Sequence, residues 1–165
     1  MSEHEHAARV PAWVHGHSHD PNPEPPSGDA TIVACLADGH AIRLDVAALR
    51  ALRYHEIRDC YIVSTGHGRS GPFVFGGATL ADLLAHLLPD DDGWLHVDIV
   101  SGDGFGTRLS PADLAEAPAG RPPLLAYTLD GAPMTRQAGL VRLIVPAETD
   151  DALKQVKWIA RIEIR

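Results

Sequence analysis

Phe75-Gly76-Gly77-Ala78-Thr79-Leu80-Ala81-Asp82-Leu83-Leu84-Ala85-His86-Leu87-Leu88 is the stretch that decides the fold. Thr79 and Asp82 stand three apart. At that spacing a threonine hydroxyl accepts from an orphan N–H of a first helical turn, and an acid favours the positive end of the helix. Leu80, Leu83, Leu84, Leu87 and Leu88 then recur at i, i+3, i+4, i+7 and i+8, which makes one apolar stripe. Pro89 and the Asp90-Asp91-Asp92-Gly93 turn stop the pattern. The spacing predicts a helix capped by Thr79 and running to about Leu88.

On both sides the pattern turns to strands. Thr31 to Leu36 and His40 to Leu44, joined at Asp38-Gly39, read as a hairpin. Cys35 falls in its first apolar run and reads as core. Asp45 caps a short helix that carries Val46, Leu49 and Leu52. Glu56 to Ser64 reads as a strand, and Gly66 to Pro72 as a long glycine-rich loop. Beyond the helix, Leu95, Val97 and Ile99 alternate with polar neighbours, and Ser101-Gly102-Asp103-Gly104 turns the chain. Ser110 caps a short helix with Pro111 at its first position. Leu124 to Leu129 is a strand. Val141, Leu143 and Val145 alternate, which sends Arg142 to the opposite face. The last strand places Trp158, Ala160, Ile162 and Ile164 on one face. Many strands and few, short helices make an α+β fold with compact mixed sheets.

Composition narrows the function. The chain has 165 residues, enough for one domain to bury a core, with 45% hydrophobic residues but only 5% aromatic ones. Leu, Val, Ile and Ala must therefore fill the interior. A formal net charge of -8 leaves no basic face for nucleic acid or an anionic membrane. No apolar run approaches the ~20 residues of a spanning helix. Two cysteines and no apolar leader point to a reducing, cytoplasmic setting.

Residues 1–30 differ from the rest. They combine His4, His6, His15, His17 and His19 with the proline-rich run Pro21 to Pro26, and read as a disordered tail preceding a domain at 31–165. His15, His17 and His19 suit weak binding of a divalent metal, or else a solvated polar tail.

Four segments, in order, resemble the oxidoreductase molybdopterin-binding domain family, the sulfite-oxidase-type fold. They are Phe75 to Leu84; Ser101-Gly102-Asp103-Gly104-Phe105; Leu125-Ala126-Tyr127-Thr128-Leu129-Asp130-Gly131-Ala132-Pro133-Met134; and Gly139-Leu140-Val141-Arg142-Leu143-Ile144-Val145-Pro146 with Lys157-Trp158-Ile159 and Arg161 to Ile164. The resemblance spans about residues 30–165 and implies a molybdopterin cofactor, with a redox partner of unknown kind.

In catalytic members of that family one cysteine thiolate binds molybdenum, and Cys60 lies about where that ligand falls; its own sequence context reads equally as a small buried hydrophobe. The resemblance implies that glycine-rich turns and basic residues hold the pterin and its phosphate: Ser101, Asp103 and Gly104 read as such a turn or as a tight strand exit, and Arg142, Lys154 and Lys157 as cations for the phosphate, with a surface ion pair for Arg142 and a plain sheet-face lysine for Lys157 as the alternatives. His67 and Arg69 lie in a glycine-rich loop that can approach an anion. One departure stands out. Where the family has a glycine loop at the phosphate, this chain has Glu148, Asp150 and Asp151, offset only by Lys154. Carboxylates there repel a phosphate by a few kcal/mol at an effective dielectric of ~20. The expected function is a molybdopterin-binding, oxidoreductase-like domain with reduced or no molybdenum occupancy. The alternatives are a non-catalytic small-ligand domain on the same fold and a metal-handling protein acting through the tail. Because a His/Pro-rich tail buries no apolar face, deleting residues 1–28 is expected to leave the melting temperature, followed by circular dichroism, within a degree or two.

Overall fold

The computed structural model describes residues 29–64, 68–89, 93–146 and 155–165. Residues 1–28 of the tail, His67, and the acidic loop with Lys154 lie outside the described residues.

Two sheets form the frame. The first is built from β1 (Ile32–Cys35), β2 (Ala41–Leu44), β5 (Val97–Ser101), β6 (Gly106–Leu109) and β10 (Ile159–Ile164), in the order β2-β1-β10-β5-β6. β1 and β10 run parallel, and the other neighbours antiparallel, so the sheet is mixed. The second follows the order β3 (His55–Ser64), β4 (Gly68–Thr79), β7 (Leu124–Leu129), β8 (Ala132–Pro133), with β9 (Arg142–Ile144) also paired to β7. Helices α1 (Val46–Arg50), α2 (Leu80–Leu87) and α3 (Pro111–Ala115) fill the connections.

The helix α2 forms as its spacing requires. The Thr79 hydroxyl accepts from the Asp82 N–H at 3.1 Å, and Leu80, Leu83, Leu84 and Leu87 are buried. They enter the larger core with Ile32 and Leu44 from the first sheet and with Leu125, Tyr127 and Leu143 from the second. The other face of the second sheet carries a smaller core of Ile57, Cys60, Phe75, Leu124, Ala126, Met134 and Ile144. Successive residues of β7 therefore point into two different cores, and the second sheet is covered on both sides near its middle. Strands must lie close there. A Cβ at Gly77 would strike the Leu125 carbonyl, so the backbone contact between β4 and β7 tolerates only glycine.

The structure corrects four details of the sequence reading. Gly68 to Pro72 is part of β4, paired with β3 across Ser64↔Gly68, Val63↔Arg69 and Ile62↔Ser70, because hairpin pairing outweighs the glycines' preference for loops. The alternation around Leu95 begins two residues late: Leu95 is exposed, and β5 starts at Val97. Trp158 precedes its strand with φ +51, and a register shift between Ile159 and Arg161 rephases the face, so Ile159, Ile162 and Ile164 are the buried side chains. Cys35 is half-buried at the end of a short strand rather than in the core.

Two substitutions test these packing assignments. Thr79→Ala is expected to cost about 1 kcal/mol, the usual loss of a cap. Gly77→Ala, which drives a methyl into a backbone carbonyl, is expected to cost about 3 kcal/mol or more. Urea unfolding of both variants measures the difference.

Candidate functional site

The double covering of the second sheet decides where Arg142 goes. Val141, Leu143 and Val145 enter the larger core, as alternation requires. Arg142 takes the other face, but that face is also packed, and the side chain is only 6% exposed. Ala126 lies directly opposite it on β7, and its small side chain leaves room for the guanidinium to reach over the Phe75 ring, 5.5 Å from the centroid. One nitrogen, Nη1, donates to the Ala138 carbonyl at 3.3 Å, while Nε is buried without a partner. Burial lowers the guanidinium pKa to about 10, so it remains cationic at neutral pH. An unpaired donor out of reach of water costs about 1–3 kcal/mol, and more on a charged group. Buried groups of this kind are nearly always completed, by protein, water or a ligand.

Neighbouring features converge on the same cation. Gly139 has φ +116, and a Cβ there would stand 2.8 Å from Cγ of Arg142 and 3.2 Å from Cβ of Lys157. Lys157 is thus beside Arg142; burial first, and then the charge of Arg142, push its pKa down. Its ammonium lies 5.6 Å from the Trp158 ring centroid. The Trp158 indole donates to the Arg136 carbonyl at 2.6 Å, and the Trp158 N–H donates to the Gly139 carbonyl at 2.9 Å. Leu140 and Trp158 both hold left-handed backbone, at φ +59 and +51. Such conformations cost of order 1–3 kcal/mol each in non-glycine residues and concentrate at ligand clamps.

The remaining candidates divide. The Ser101 to Gly104 turn adjoins this region, since the Gly102 N–H donates to the Trp158 carbonyl at 2.9 Å. Its other donors are used internally: Asp103 N–H to the Ser101 hydroxyl, Gly104 N–H to the Ser101 carbonyl, and Phe105 N–H to the Asp103 carboxylate. Arg69 lies elsewhere, stacked 3.6 Å from the Tyr61 ring centroid near the tip of the β3–β4 hairpin.

Cys60 shares the sheet face of Arg142 but not its surroundings. It is 2% exposed in the smaller core, and its Sγ points back to the carbonyls of Ile57 at 3.5 Å and Arg58 at 3.7 Å. Register shifts flank it on both sides, and Asp59 before it has φ +53. Arg121, which sequence reasoning missed, clamps this bulge. Its guanidinium donates to the carbonyls of Arg58 at 2.8 Å and Asp59 at 3.2 Å. Burial raises the thiol pKa; Arg121 opposes that shift and Asp59 adds to it. Among the described residues, no three of His, Cys, Asp and Glu converge to hold a metal ion. No helix among them is long and apolar enough to cross a membrane.

A family model, described as the oxidoreductase molybdopterin binding domain, matches residues 40–165. The chain belongs to this family. One solved structure of similar fold is that of the sulfane dehydrogenase SoxCD from Paracoccus pantotrophus. It superposes with a TM-score of 0.63 at 15% identity over 90% of this chain, and this chain spans 40% of that one. No curated protein matches the sequence. At that identity the likeness establishes the α+β molybdopterin-domain fold expected from the sequence.

The residues fit one part of the family's cofactor and not the other. The buried Arg142 Nε has no partner and Lys157 stands beside it, a donor set of the kind an anionic group would complete. Cys60 does not present its sulfur to a metal: it is buried and turned toward the carbonyls of Ile57 and Arg58. In the folded protein Cys60 is expected to react with a disulfide reagent about tenfold or more slowly than the half-buried Cys35, with the difference vanishing on unfolding.

Proposed function

We propose that this member of the molybdopterin-binding family holds an oxyanion-bearing small ligand between Arg142 and Lys157, with reduced or no molybdenum at Cys60. The observation that carries this reading is the buried Arg142 Nε with no protein partner. The Gly139 turn and the left-handed Leu140 and Trp158 support it by bringing both cations to one place. Binding replaces an uncompensated buried charge with a charge-assisted hydrogen bond. The same geometry excludes water from the guanidinium, which strengthens its hold on an anion. Cys60 in this reading stays a packed thiol whose bulge is fixed by Arg121.

Protein purified from a molybdate-fed host is expected to contain molybdenum well below one atom per chain by plasma mass spectrometry; a stoichiometric content would restore Cys60 as a ligand. Arg142→Met is the sharper experiment. Replacing a buried unpaired charge with an apolar chain is expected to leave stability unchanged or raise it by up to ~2 kcal/mol. Phosphate binding, followed by calorimetry, is expected to be lost in the same variant. A large loss of stability would make Arg142 structural.

The pH dependence has a definite sign. An anion is held by protonated Lys157, whose pKa in the fold is below the ordinary 10.5. Phosphate affinity is therefore expected to fall as pH rises through that lowered pKa, before an ordinary lysine would titrate. Lys157→Arg is expected to move the fall up only toward about 10, where buried Arg142 itself titrates.

A further inference from the structure

Cys60 is out of step with the hairpin that carries it. Between the pairs Ile57↔Phe75 and Cys60↔Phe73, β3 advances three residues and β4 two; between Cys60↔Phe73 and Ile62↔Ser70, β3 advances two and β4 three. Each strand therefore carries one extra residue, and the two bulges cancel. From Ile57↔Phe75 to Ile62↔Ser70 both strands advance five, so the pairs on either side of Cys60 already share one register. Their pairing is the same with the two bulges or without them.

The bulges decide which way the thiol faces. They break the alternation of side chains and put Ile57 and Cys60, three apart, into one core. Unbroken alternation from Ile57 turns Cys60 and Ile62 to the face of the exposed Glu56, and Asp59 and Tyr61 to the smaller core. Two features act on this choice. Arg121 donates to the carbonyls of Arg58 and Asp59, which fastens the bulge on β3, and its charge also reaches the Cys60 sulfur. Asp59 acts against the bulge, because its φ of +53 is costly for a residue other than glycine. In an unbroken ladder Asp59 returns to extended backbone, and its carboxylate comes to the face where the Arg121 guanidinium stands. The arginine then keeps an acceptor in either arrangement.

We propose that the β3–β4 hairpin is a two-register switch for its own thiol. With both bulges in place Cys60 is packed inward; with the bulges cancelled it stands on the Glu56 face, open to reagents in water. The moving segment is Arg58 to Tyr61, and Arg121 is the latch. The switch stands apart from the anion reading above and needs neither Arg142 nor Lys157.

Substitutions at position 59 bias the two registers in opposite directions. Asp59→Gly removes the backbone cost of the bulge, and with it the carboxylate that the other register brings to Arg121. Asp59→Val raises that cost and suits the smaller core. Alkylation of the full chain by iodoacetamide, followed at Cys60 by peptide mass spectrometry, is expected to be about tenfold slower in Asp59→Gly and about tenfold faster in Asp59→Val than in the unaltered protein. A change of register exposes little surface, so these rates are expected to stay flat at low urea; exposure through global unfolding climbs steeply with urea. A rate in Asp59→Gly that is no slower than in the unaltered protein, or rates that climb with urea from the start, overturn the switch. The comparison with Asp59→Gly holds even where Asp59→Val fails to fold.

Discussion

The middle of the second sheet is buried on both faces, and this constraint governs the rest of the molecule. A sheet covered on one side sends alternate residues to water, where a cation costs nothing. Here β7 alternates between two cores, Leu125 and Tyr127 into one, Leu124 and Ala126 into the other. β9 beside it does the same, so a charged residue at position 142 has no solvent-facing option. The same closeness demands Gly77 at the β4–β7 contact and the small Ala126 opposite Arg142. The charge is held in place by the packing around it, and the packing does not neutralise it.

Much of this architecture was legible in the sequence. Helix α2 announces itself because capping and the leucine stripe are local signals that agree with each other. The β1–β2 hairpin and the Ser110 cap are legible for the same reason. The alternation of Val141, Leu143 and Val145 was legible too, but it says only that Arg142 faces away from them. Whether that other face is wet or dry depends on Phe75 and Ala126, distant in sequence, so the burial of Arg142 could not be read. The phase of the last strand was missed because a left-handed Trp158 and a shifted register leave no mark in a polar–apolar pattern. Arg121 carried no signal at all, since it reaches carbonyls more than sixty residues away.

Membership of the molybdopterin-binding family and the chemistry of this chain are separate matters, since a fold hosts more than one activity. Arg142 and Cys60 lie in different environments of one sheet face. Arg142 is short of partners. Cys60 has backbone carbonyls within reach and an apolar shell around it. Two strands, β4 and β7, stand between the strand of Cys60 and that of Arg142, so a change at one need not disturb the other.

The order of the first sheet has a consequence for how the chain is made. Its central strand, β10, comes last, and it seats itself between β1 and β5 by pairing Val33 with Arg161 and Ile99 with Ile162. A chain emerging from the ribosome therefore carries β1 and β5 with one bare edge each until β10, more than fifty residues beyond β5, has been synthesised. Loop closure over such a span is slow, and bare apolar edges invite pairing with the wrong strand. The interval before β10 arrives is the stage at which a nascent chain of this topology has most need of a chaperone.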